Sequence, residues 1–260
     1  MKTALVLTGG GSKGAIEVGV LKVLVERKII PDVVIGTSVG AINGAIFLDG
    51  KNHQEALARL EDAWQHATRK MFFPFNPAVL LQWHHAASIF HSRGLQQMLA
   101  KYLKSQSFKE LSKPLHVNCT RLSDGKSVFF NQGNLHETIL ASSALTPFYP
   151  PVRLGDELYT DGSFTNYLGL QKAEELKCER IILVNLGYHQ PPKQKEGLIN
   201  MTLYMNELMK HQLIMNAIAL HKRKNFIEIA PKIASEIHLT DFSHTKELIR
   251  EGVIAARRTL

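Results

Sequence analysis

The chain has 260 residues, 45% of them hydrophobic, and a formal net charge of +8. That size supports one large α/β domain or two small ones. Two cysteines, Cys119 and Cys178, exclude a disulfide framework and a cysteine metal site, and the absence of any apolar stretch near 18 residues predicts no membrane span.

Residues 3–8 read as a buried strand. Gly14 to about Glu26 reads as a helix with Ile16, Val20, Leu21, Val23 and Leu24 on its apolar side. Pro31-Asp32 breaks the chain before a strand at 33–36, and a helix follows Ser38 through Ala41, Ile42, Ala45 and Ile46. Strand, helix, strand, helix in 50 residues predicts a parallel sheet with a right-handed crossover. Residues 54–70 read as helical. Between 71 and 93, Phe72, Phe73, Phe75, Leu80, Leu81, Trp83, Ile89 and Phe90 crowd around Pro74 and Pro77 without a clear period. Residues 94–104 return to helix. A strand at 115–120 leads through the turn Asp124-Gly125 to a return strand at 127–130. A helix starts near Leu135, another closes at Glu174–Lys177, and a strand covers 180–185. A long methionine-containing helix over 198–224, a strand at 226–229 and a helix over 243–258 complete the chain. Gln190–Lys195 reads as a surface loop, and no linker divides the sequence. The expectation is a single domain over residues 1–260, a three-layer α/β/α sandwich with a mostly parallel central sheet.

Gly36-Thr37-Ser38-Val39-Gly40 spells G-x-S-x-G directly after the apolar run Val33–Ile35. A strand that turns sharply into a helix there presents the middle serine as an activated nucleophile. The loop Gly9-Gly10-Gly11-Ser12-Lys13-Gly14 ends the first strand. In a parallel pair joined by one helix, both strand ends lie on the same edge. If the two strands are neighbours, the glycines turn backbone N–H groups toward a point beyond the Ser38 hydroxyl, as an oxyanion hole requires. The loop does not fit the phosphate-binding pattern, because Lys13 precedes Gly14. It does satisfy G-x-G-x-x-G through Gly9, Gly11 and Gly14. A dinucleotide site, however, needs an acid at the end of the second strand, and Asp32 stands at its start. A serine nucleophile also needs a base. His238 or His244 fits the order serine, acid, histidine; Asp161, in Thr160-Asp161-Gly162-Ser163, is the carboxylate candidate, although Asp-Gly is also an ordinary turn. Spacing does not decide between them.

Taken together, Gly9–Ala15, the Gly36–Gly40 elbow, Thr160–Ser163 and the segment Ala141-Ser142-Ser143-Ala144 leading to Pro150-Pro151-Val152 resemble the patatin-like phospholipases. The likeness covers residues 9 to about 163. It implies a modified α/β-hydrolase-like fold and a lipid acyl hydrolase that works through an acyl-enzyme, with Ser38 as nucleophile, Asp161 as base and no metal or other cofactor. It puts the amides of Gly10 and Gly11 at the oxyanion, with Lys13 and Gly14 close by, and marks Gly36, Gly40 and Gly162 as motif glycines. Lys13 stands where the family commonly has arginine, and Ser163 where glycine or alanine is usual. The partner it implies is a lipid or acyl ester. The basic group from Lys210-His211 to His221-Lys222-Arg223-Lys224 reads as a solvated helix face or as a peripheral contact for anionic membrane. It lacks the interleaved aromatics that nucleic-acid binding uses. The N-terminal run Ala4–Leu7 is too short for a signal peptide, which with two reduced thiols predicts a cytoplasmic protein. Two further readings are a dinucleotide binder and a lipid-binding module without catalysis.

Overall fold

The computed structural model describes residues 1–50, 52–77, 88–186, 198–221, 225–231 and 237–260. In chain order its strands are β1 (Thr3–Leu7), β2 (Val33–Thr37), β3 (Leu115–Arg121), β4 (Ser127–Phe130), β5 (Val152–Leu154), β6 (Glu157–Asp161), β7 (Arg180–Val184) and β8 (Phe226–Ile229). The helices are α1 (Ala15–Glu26), α2 (Val39–Leu48), α3 (His53–His66), α4 (Arg69–Phe72), α5 (Arg93–Tyr102), α6 (Leu135–Ser142), α7 (Leu170–Glu175), α8 (Leu198–His221) and α9 (Thr245–Thr259). The eight strands form one sheet. Five of them, in the order β8–β7–β1–β2–β3, are parallel.

Strands β1 and β2 are buried along their whole length, which is why they read as continuous apolar runs. Alternation then sorts their side chains between two layers. Leu5, Leu7 and Val34 join a core with α1, α2, α3, α5 and α9. Ala4, Val6, Val33 and Ile35 join a second core with Leu170 and Ala173 of α7 and Ile214 of α8. The architecture is a three-layer α/β/α sandwich with a mostly parallel sheet.

Two departures from the sequence expectation have local causes. The helix expected over 54–70 stops at His66; Thr68 then accepts the Met71 N–H at 3.2 Å and caps the separate turn α4. The hairpin β5–β6, closed around Gly155 at φ 61°, is not anticipated because Arg153 and Glu157 interrupt its apolar pattern. In the crowded aromatic region, Phe73 stacks on Tyr149 and Phe72 on Phe242, with ring centres 5.5 and 5.1 Å apart. Leu80, Leu81 and Trp83, the Gln190–Lys195 loop and Lys222–Lys224 lie outside the described residues.

The hairpin places the site. Strand β4 occupies one edge of β3 over Val117–Thr120. The other edge is shared. Strand β2 pairs with Leu115–Asn118, and β6 arrives from the opposite direction to pair with Cys119–Arg121. The two therefore meet end to end, Thr37 beside Asn118 and Asp161 beside Cys119. Among the described residues no helix is long and apolar enough to cross a membrane.

Candidate functional site

Ser38 follows the last residue of β2 and caps α2. Its backbone is at φ 55°, ψ −123°, a left-handed conformation that costs a non-glycine residue about 1–3 kcal/mol. The surroundings hold it there. Its N–H donates to Ser142 Oγ at 2.9 Å, and Ser142 Oγ donates to the Asn118 carbonyl at 2.6 Å. The Ser38 carbonyl in turn accepts the N–H groups of Ala41 and Ile42 and starts α2. Gly36 and Gly40 allow the bend. A Cβ at Gly36 would lie 2.6 Å from Ala41 Cα, and one at Gly40 2.3 Å from the Leu7 carbonyl oxygen. The positive end of the α2 dipole is thus aimed at Ser38.

Asp161 ends β6 and is 1% exposed. Its Oδ1 accepts the Ser163 N–H at 2.9 Å, and the nearby Ser38 and Ser163 hydroxyls favour its charged form. Burial pushes its pKa above the ordinary carboxylate value; the Ser163 N–H, the two hydroxyls and the charge of Lys210 on α8 offset part of that rise. Asn118 ties the two strand ends together. Its Nδ2 donates to Thr37 Oγ1 at 3.3 Å, to the Gly162 carbonyl at 3.1 Å and to the Asn166 carbonyl at 2.7 Å. Gly162 is needed where it stands, since a Cβ would meet the Asn118 carbonyl oxygen at 2.4 Å.

The glycine loop reaches the same place from β1. A Cβ on Gly9 would lie 3.3 Å from Ser38 Cβ and 3.8 Å from Ser163 Cβ. The Tyr167 hydroxyl donates to the Gly9 carbonyl at 2.5 Å. Gly11 is left-handed at φ 57° and abuts Leu239. Behind the loop, Ser12 donates its N–H to the Leu239 carbonyl at 2.8 Å and its hydroxyl to the His238 carbonyl at 2.9 Å. The Lys13 N–H donates to the Gly10 carbonyl at 3.2 Å. Among the described residues no backbone carbonyl takes the N–H of Gly10 or Gly11. Gly14 lies against Val39 and Trp64, with no room for a Cβ.

The structure therefore brings Ser38, Asp161 and the glycine loop together, with Gly36, Gly40 and Gly162 at the close approaches that permit it. Neither candidate histidine joins them. The His244 ring pairs with Glu247 at 2.9 Å and Asp241 at 3.7 Å, and among the described residues no histidine is hydrogen-bonded to Ser38. The acid that a ribose would require, Asp32, instead accepts the Thr3 N–H at 2.8 Å at the opposite end of β2. Among the described residues no group of three or more His, Cys, Asp or Glu is placed to hold a metal. Sequence reasoning did not single out Asn118, Tyr167 or Lys210 as framing residues. Ser142 lies in the Ala141–Ala144 segment that carried the family likeness, and only its hydrogen bonds to Ser38 and Asn118 show what it does. Chemically, a serine on a strained turn, close to a buried carboxylate and to backbone donors, suits nucleophilic attack on a carbonyl.

Comparison with known proteins gives the family. Patatin-like phospholipase domain-containing protein 7 of Mus musculus is 26% identical over 186 residues, covering 71% of this chain and 13% of that protein. Neuropathy target esterase sws of Drosophila melanogaster is 26% identical over 185 residues, 70% of this chain and 13% of that protein. Lysophospholipase nte1 of Aspergillus terreus is 27% identical over 193 residues, 70% and 12%. The chain thus spans about an eighth of the length of these relatives. The crystal structure of VipD from Legionella pneumophila shares the fold, with a TM-score of 0.52 at 14% identity over 99% of this chain and 66% of that one. The sequence model described as Patatin-like phospholipase matches residues 5–173. Since that match covers well over half of the 260 residues and contains the elbow, the glycine loop and the Asp-Gly turn, the chain belongs to the patatin-like phospholipase family.

Proposed function

We propose that the protein is a serine-dependent lipid acyl hydrolase of phospholipase, lysophospholipase or carboxylesterase type, working through a Ser38–Asp161 dyad. The convergence of Ser38, held at the strained turn into α2, with the buried Asp161 carboxyl, whose charged form the nearby Ser38 hydroxyl favours, carries this reading. Ser38 Oγ attacks the ester carbonyl carbon as Asp161 takes its proton. The oxyanion rests on the N–H groups of Gly10 and Gly11, in the loop completed by Lys13 and Gly14, and on the positive end of α2. The alcohol leaves with the proton returned by Asp161, and an acyl-enzyme remains. Water then attacks the acyl carbon while Asp161 accepts its proton; Ser38 regains a proton as the fatty acid departs. The raised Asp161 pKa makes it a stronger base than an exposed carboxylate.

The relatives named as an esterase and a lysophospholipase support the lipid ester class. So does α8, which exposes Met201, Met205, Met209 and Met215. Lys210 on the same helix lies 5.6 Å from the ring centre of Phe164, three residues after Asp161. We take this side as the peripheral lipid contact of a cytoplasmic enzyme; sedimentation with neutral and anionic vesicles tests it, and no binding to either removes it.

The dyad is tested with a p-nitrophenyl acyl ester and a fluorophosphonate probe. The wild type hydrolyses the ester and is labelled at Ser38. Ser38→Ala and Asp161→Asn lose about 10³-fold or more in kcat. Full activity in either variant refutes the dyad, and failure of the wild type to be labelled leaves a binding module without catalysis.

A further inference from the structure

Glu17 is a fully buried acid that the proposed chemistry does not use. It sits in the first turn of α1, immediately after the glycine loop. Its Oε2 accepts from Asn43 Nδ2 at 2.8 Å, and the same Nδ2 donates to the Gly14 carbonyl at 2.9 Å. Asn43 Oδ1 accepts from Trp64 Nε1 at 2.9 Å. The Thr8 N–H, at the start of the loop, points at the same carboxyl and favours its charge to a smaller degree. It closes no full hydrogen bond to Oε1, which is buried and unpartnered. Among the described residues no Lys, Arg or His pairs with Glu17. An ionised, unpaired carboxylate at such a depth costs several kcal/mol. Burial accordingly drives the Glu17 pKa well above the carboxylate range and favours its neutral form.

The placement of these contacts gives them a purpose. Thr8 precedes the loop and Gly14 ends it. Asn43 belongs to α2, the helix that begins at Ser38, and Trp64 anchors it from α3. We propose that Glu17 is a positioning residue, which acts with Asn43 to fix the glycine loop against the helix carrying the nucleophile. Without it, the Asn43 amide loses the acceptor that orients it toward the Gly14 carbonyl, and the Gly10 and Gly11 amides drift relative to Ser38. The task needs only an acceptor at this depth, and Glu17 Oε2 supplies it to the Asn43 amide. Glutamine supplies the same acceptor at the same length; an apolar side chain of similar volume supplies none.

This inference rests on the oxyanion role given to the loop, and the test separates the two. Kinetics with the p-nitrophenyl ester and amide hydrogen exchange over residues 8–15 are measured for wild type, Glu17→Gln and Glu17→Met. Glu17→Gln is expected to match the wild type in both, within about threefold in kcat. Glu17→Met is expected to lose about 10–100-fold in kcat with KM nearly unchanged, and to exchange faster over 8–15, because loss of a full oxyanion donor costs about 10²–10³-fold. Asn43→Ala breaks the same bridge from the other side and reproduces both effects if Glu17→Met does not fold. Wild-type kcat and wild-type loop exchange in Glu17→Met, or in Asn43→Ala when it stands in, overturn the proposal. So does a Glu17→Gln variant as impaired as Glu17→Met, which would mean that the charge is required. If the wild type proves inactive, the hydrolase reading fails while loop exchange still decides the positioning role.

Discussion

Gly40→Ala isolates what the elbow requires. A Cβ at this position would lie 2.3 Å from the Leu7 carbonyl oxygen and 2.5 Å from its carbonyl carbon, where ordinary contact begins at 3.4 Å. The shortfall is about 1.1 Å, and it falls between two rigid partners: Leu7 is in β1, wholly buried in the sheet, and every residue of α2 is buried. Overpacking of this kind costs about 1–3 kcal/mol, and the helical preference of alanine over glycine returns up to about 1 kcal/mol. The net loss is about 2 kcal/mol, or about 4–8 °C in Tm for a chain of this size. Relief comes from moving the start of α2, and Ser38 with it, by about 1 Å. A displacement of that size at a reacting group costs about 10²-fold in kcat. Thermal melts and hydrolysis of a p-nitrophenyl ester read both quantities. Gly44→Ala, one turn further along α2, is the control. Its Cβ would meet only side-chain ends, Val34 Cγ1 at 3.0 Å and Leu115 Cδ1 at 3.4 Å, so stability and kcat stay near wild type. Wild-type Tm and kcat in Gly40→Ala, or greater damage from Gly44→Ala than from Gly40→Ala, refute the reasoning.

The pKa of Asp161 is raised by burial, so its ionised form weakens the fold: its contribution to stability is present below the unfolded value near 4 and is lost as pH rises through the folded value. Asp161→Asn should therefore raise Tm at pH 7 while abolishing activity, with the gain shrinking toward pH 4; a lower Tm at pH 7 contradicts this. Activity of the wild type should fall on acidification with a midpoint above the ordinary aspartate value. Ser163→Ala, which removes a hydroxyl that favours the charged form, should move that limb to higher pH; a shift to lower pH contradicts the assignment. At the far end of α2, Asp49 accepts from Ser105 Oγ at 2.6 Å and from the Lys104 N–H at 2.9 Å, and it pairs with Arg59. Asp49→Ala should cost about 3 kcal/mol in urea unfolding and leave kcat within a few-fold, since the network lies a full helix away from Ser38.

The first 50 residues were legible because their signals are local: apolar runs for β1 and β2, Pro31 as a break, and glycines where chain meets chain. The mostly parallel sheet followed from strand–helix alternation. The meeting of Ser38 with Asp161 was not in the spacing. It depends on β6 joining the edge of β3 that β2 leaves open, a pairing set by register and not by residues near either position. The hairpin that brings Asp161 there was hidden by Arg153 and Glu157, whose polar side chains lie on two short, partly exposed strands. Asn118 read as one position in an ordinary strand, because its value lies in three carbonyl and hydroxyl partners drawn from other segments. Glu17 read as a polar position on a helix; nothing in its neighbours along the chain announces complete burial.

Because Thr37 and Asp161 take consecutive rungs on one strand, β3 acts as a ruler between them. The chain joining the two can lengthen, shorten or be replaced without altering their separation, so long as each keeps its rung. A slip of either by one residue would carry its side chain about 3.3 Å along and turn it to the other face. Natural or engineered variation should thus gather in the intervening connections, where it can reshape what enters while the reacting pair stays in step.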